Sequence, residues 1–71
     1  MRYQIFIVIG KENVENFADG MLENVEYDKV LQLKFETVDE KVAFCKGVQY
    51  TADYENYLFI DEEEYLEFQN L

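Results

Sequence analysis

The chain has 71 residues, 49% of them apolar and 17% aromatic, and its 16 acids against 6 bases leave a net charge of −10. That length supports one core, and the apolar fraction is too high for a disordered chain. The charge disfavours direct contact with nucleic acid or an anionic membrane, both of which need a positive surface; one cysteine and no histidine leave no internal disulfide or His/Cys metal cluster to hold the domain together.

Tyr3 to Ile9 is dense in β-branched and aromatic residues, is apolar on both faces and stops at Gly10, so it reads as a central strand. Its apolar run of about six residues is shorter than the roughly 7 to 15 of a signal-peptide core, and no stretch approaches the ~18 of a membrane span. With the unpaired Cys45, the expected compartment is the cytoplasm. From Lys11 the period changes: Val14, Phe17, Ala18, Met21 and Leu22 fall on one helical face. Gly20 inside that pattern marks either close packing on the sheet or an early helix end.

Val30 to Glu36 alternates, with Leu31, Leu33 and Phe35 on one side and Gln32, Lys34 and Glu36 on the other, as a strand with one wet face does. Thr37 and Glu40 form a T-x-x-E capping box, so a second helix starts at Val38. Its apolar arc holds Val38, Val42, Phe44, Cys45, Val48 and Ala52, and it fades between Tyr50 and Asn56. Tyr57 to Ile60 reads as a third strand. The C-terminal segment has two readings: a strand alternating through Leu66 and Phe68, or a short helix capped by Asp61 and Glu64 with acids at its positive end.

Residues 25–33 (VEYDKVLQL) are loosely repeated at 52–60 (ADYENYLFI), an offset of 27 that also aligns Phe17 with Phe44 and Gly20 with Gly47. Each unit is strand, helix, next strand, the β-α-β arrangement with a right-handed crossover. The expected fold is a two-layer α+β domain, with two helices on one face of a three- or four-stranded sheet. The order is β-α-β-α-β and then a strand or short helix. A ferredoxin-like chain, with Asn24 to Tyr27 as an extra strand, is the alternative.

Carried through this register, Phe6, Val8, Leu31, Leu33, Phe35, Leu58 and Ile60 face the helices. The opposite face then exposes Tyr3, Ile5, Ile7 and Ile9 beside Gln32, Lys34 and Glu36 and beside Tyr57 and Phe59. Such a patch marks an interaction site unless the C-terminal segment covers it. A second copy of the chain and a different protein partner are both open as its occupant.

Catalysis has little support. There is no histidine for base work at neutral pH and no nucleotide-binding or nucleophile-elbow motif, and Cys45 lies mid-helix on an apolar arc. Asp61, Glu62, Glu63 and Glu64 are hard oxygen donors without the spacing or glycine of a calcium loop. No cofactor or metal is expected. The charge distribution is more informative: residues 47–71 hold seven acids and no Lys or Arg, interleaved with Tyr50, Tyr54, Tyr57, Phe59, Tyr65 and Phe68. Rigid aromatics among negative charges suit docking on a basic protein surface. The expected function is therefore a non-catalytic interaction module, working through the open sheet face and the acidic C-terminal third (Tyr57, Phe59, Asp61 to Glu64 and Tyr65). The alternative is an acidic mimic of nucleic acid that blocks a basic nucleic-acid-binding protein. In length and charge the chain resembles small phage-encoded inhibitors of that type, a likeness of composition.

Overall fold

The computed structural model describes residues 3–71, apart from the side chain of Tyr54. In chain order it contains β1 (Tyr3–Ile9), α1 (Lys11–Ala18), β2 (Val30–Phe35), α2 (Val38–Thr51), β3 (Tyr57–Ile60) and α3 (Glu62–Gln69). Short 3₁₀ turns at Leu22–Asn24, Tyr27–Lys29 and Tyr54–Asn56 join them. This is the expected α+β order, with the C-terminal segment helical. Asn24 to Tyr27 makes turns rather than a strand, so the four-stranded ferredoxin-like alternative is not adopted.

Local chemistry sets the boundaries. Gly10 starts α1 at a φ of 96°, a region open to glycine, and a Cβ there would meet Asn13 Nδ2 at 3.2 Å. Gly20 ends the same helix: at φ 78° it donates to the Phe17 carbonyl while Met21 N–H donates to Asn16 O at 2.8 Å, the paired bonds of a Schellman motif. The helical pattern through Leu22 is therefore cut short, and Met21 is left exposed. Both capping boxes form, Thr37 with Glu40 ahead of α2 and Asp61 with Glu64 ahead of α3.

The sheet order is β2-β1-β3, and β1 is antiparallel to both neighbours. The first unit, β1-α1-β2, is thus an antiparallel pair bridged by a helix, not a parallel crossover. β2 and β3 run parallel to each other with β1 between them. The 27-residue echo survives as local order only: α1 and α2 begin at Lys11 and Val38, the last two 3₁₀ turns at Tyr27 and Tyr54, and β2 and β3 at Val30 and Tyr57.

Cross-strand partners share a face. Phe6 and Val8 stand with Val30, Gln32, Leu58 and Ile60, whereas Ile5 and Ile7 stand with Leu31, Leu33 and Phe59. The first face carries the main core, in which Phe6, Val8, Val30 and Ile60 meet Phe17 of α1, Phe68 of α3 and Val25. Two helices do cover one face, and they are α1 and α3. α2 crosses the other face over β1 and β2, with the Phe44 ring centroid 5.5 Å from that of Phe35. This corrects the expected register: Leu31, Leu33 and Phe35 belong with the odd-numbered isoleucines. The cause is that β1 is apolar on both faces and each face requires a cover. Among the described residues, no helix is long and apolar enough to cross a membrane.

Candidate functional site

The isoleucines expected to form an open patch are enclosed. Ile5 is 6% exposed and Ile7 3%, beneath α2, while Tyr3 and Ile9 at the strand ends are half-buried. α2 rather than the C-terminal segment provides the cover, since its half-buried Phe44, Cys45 and Val48 recur at helical spacing. Cover is incomplete on the β3 side. There Tyr57 and Phe59 are half-buried on the α2 face, their rings edge to face with centroids 5.4 Å apart.

β3 is an outer strand, and hydrogen-bond parity says which of its backbone groups are free. Gly10 N–H donates to Asn56 O at 2.9 Å, and these residues continue the register that pairs Ile9 with Tyr57. Bonded pairs alternate in an antiparallel ladder, so Leu58 and Ile60 turn their N–H and C=O groups toward β1. Tyr57 and Phe59 turn theirs outward, where the Tyr57 N–H closes the 3₁₀ turn at Tyr54–Asn56 and the other three groups are left. The same rule applied to β2, the other outer strand, points the groups of Gln32 and Lys34 outward, on residues that are themselves polar and exposed. A lysine on an edge is a guard against unwanted pairing. The edge of β3 has aromatics in place of such a guard.

Beside this edge, where β3 ends and β1 continues, lies an open cleft of about 400 Å³. Its floor is Gln4, Ile5 and Phe6; Lys41 and Cys45 of α2 form one wall, and Phe59, Ile60, Asp61 and Glu62 the other. Of the residues singled out from sequence, the structure brings Ile5, Phe59, Asp61 and Glu62 together here. Tyr65 goes elsewhere, its ring 4.6 Å from that of Phe6 on the opposite face. Glu63 and Glu64 are exposed on α3, and Glu64 reaches back to close the cap, its Oε1 accepting from Asp61 N–H at 3.1 Å. Gln4 and Lys41 were not singled out from sequence, and Cys45 was placed on the apolar arc of α2 without being assigned to a site. The available signal was the four-residue spacing of Lys41 and Cys45, which places both on the inward arc of α2.

Charge divides by layer. α1 with its C-cap Asp19 and α3 with its N-cap Asp61 carry eight exposed carboxylates (Glu12, Glu15, Asp19, Asp61 to Glu64 and Glu67) against Lys11. On α2, Asp39 and Glu40 are balanced by Lys41 and Lys46. The sequence gradient toward the C-terminus is thus part of a spatial one, because α1 lies on the same face as α3. Lys11 Nζ is 3.8 Å from Glu55 Oε2, an exposed pair that contributes little. Among the described residues, no three His, Cys, Asp or Glu side chains converge as a metal-binding group.

Compared with protein-family models, curated proteins and solved structures, the chain matches none.

Proposed function

We propose that the protein is a non-catalytic, cytoplasmic binding module for a basic protein surface. The observation that carries this reading is the layer of eight exposed carboxylates on α1 and α3, set against one lysine, while α2 is balanced. A one-sided field of that kind steers a positively charged partner and orients it before contact. The half-buried Tyr57 and Phe59 add rigid contact area next to the acids.

A lysine homopolymer serves as the first probe. Binding should weaken steeply as salt rises, and Glu63→Lys with Glu67→Lys should weaken it more than tenfold. Asp39→Lys, on the balanced layer, should change it little. Equal effects from the two layers would remove the reading. The nucleic-acid-mimic alternative uses the same carboxylates in place of phosphates, and competition separates it: a mimic is displaced from its protein partner by duplex DNA, whereas an ordinary acidic docking module is not.

A further inference from the structure

We infer that the docking element is the free edge of β3, which accepts an extended segment of the partner as a fourth strand with basic residues at its ends. This rests on the reading of the protein as a binder of basic proteins and names how the partner is held. The first ground is backbone chemistry. Phe59 presents its N–H and C=O, and Tyr57 its C=O, to the outside with no strand beyond them among the described residues, the Tyr57 N–H being used to close the 3₁₀ turn at Tyr54–Asn56. Strand addition satisfies such groups by main-chain bonds, and the side chains on the shared face set the preference. Here that face offers the Tyr57 and Phe59 rings, so apolar or β-branched residues at alternate positions of the incoming strand would pack on them.

The second ground is charge, which selects the occupant. Asp53 and Glu55 precede β3 and Asp61 to Glu64 come after it, all exposed, so a strand laid along Tyr57–Ile60 meets acids at both ends. A second copy of this chain is the wrong occupant. In the two-fold register centred on Leu58, which brings the outward groups of Tyr57 and Phe59 opposite each other, Asp61 falls opposite the second copy's Glu55, and the same clash recurs at the other end. Like charges directly opposite destabilise a strand pair. Lysines or arginines at those positions reverse the sign. β2, the other edge, lacks this combination: its outward groups belong to Gln32 and Lys34.

The test uses the unmodified ¹⁵N-labelled protein and three synthetic nonapeptides of equal positive charge: a Val/Thr alternating core with Lys and Arg at both ends, the same peptide N-methylated at alternate residues, and a Gly/Ser core with the same ends. Binding of the first peptide is expected to slow exchange of the Phe59 amide at least tenfold, and N-methylation, which removes donors but no charge, should weaken affinity at least tenfold. If all three bind alike, with shifts spread over α1 and α3, the edge assignment falls while the binding-module reading stands. Protection appearing at Gln32 and Lys34 instead also overturns it. If none of the three binds at low salt, the module reading itself is lost.

Discussion

Asn13 is 6% exposed in the first turn of α1, and its amide joins three parts of the chain. Its Nδ2 donates to Ile9 O at 3.1 Å and to Glu26 Oε2 at 3.2 Å, while its Oδ1 accepts from Glu26 N–H at 3.0 Å. The end of β1, the start of α1 and the loop leading to β2 are thereby fixed together. Asn13→Ala leaves the Ile9 carbonyl and the Glu26 N–H without these partners, and at about 1 kcal/mol each it should cost about 2 kcal/mol. Asn13→Asp should cost more, since it replaces the donor with a buried negative charge facing both an acceptor and Glu26. Helix-terminus preference alone favours Asp there, so the order of the two variants in urea unfolding is the check. Asp equal to or better than Asn would refute this role. A polar residue in a helical pattern reads as solvent-facing, which is why Asn13 went unmarked in the sequence: its partner Glu26 lies 13 positions away, and only the folded loop brings it close.

The three helices are held unequally. α3 inserts Phe68, 5% exposed, between Phe17 and Tyr27 with ring centroids 6.2 and 6.0 Å away, whereas α2 has no fully buried side chain. Its docking depends on half-buried contacts and on the box in which Glu40 N–H donates to Thr37 Oγ1 at 3.1 Å and Thr37 N–H to Glu40 Oε1 at 3.1 Å. Thr37→Ala should lose about 1 kcal/mol, and the loss should be local: hydrogen exchange is expected to accelerate across α2 while the β1 amides keep their protection. Uniform acceleration through β1 and α3 would show that α2 unfolds only with the whole domain. Both boxes were legible in the sequence because T-x-x-E and D-x-x-E are contiguous and their energy is local. So were the three strands and the start of α2. The side of the sheet that α2 covers was not legible. It depends on how β2 is registered against β1, and a slip of one residue exchanges the faces without altering either strand's own pattern. Leu31, Leu33 and Phe35 alternate equally well whether they join Phe6 and Val8 or Ile5 and Ile7. The free edge of β3 was hidden for a related reason. Strand order assigns edges, and a strand flanked by helices in the chain gives no sign of its neighbours in space.

At the scale of the molecule, the charge that marks the binding surface also strains the fold. The Cα envelope measures 33 × 27 × 16 Å, and at about 10 mM salt the Debye length is ~30 Å, so nearly every carboxylate senses every other. At about 100 mM it is ~10 Å, and repulsion is then limited to near neighbours. Stability should therefore rise between those conditions, most steeply at the low end, and to the same extent in sodium and potassium chloride. The layered distribution makes the expectation specific. Asp19→Asn with Glu67→Gln, which lie at the C-terminal ends of α1 and α3 where the helix dipole also opposes a negative charge, relieves the acidic layer and should raise low-salt stability by a few tenths of a kcal/mol per site while flattening the salt response. Asp39→Asn, on a helix where two lysines balance two acids, should do neither. The same variants should weaken binding to a lysine homopolymer, because the repulsion they relieve is the field that attracts the partner. Thermal unfolding and binding measured across one salt series would then change in opposite directions, stability increasing and affinity decreasing. If stability is flat from low to moderate salt, or if Asp39→Asn matches the Asp19 and Glu67 pair, the carboxylates of α1 and α3 do not act as one field, and the case for that layer as a binding surface loses its physical basis.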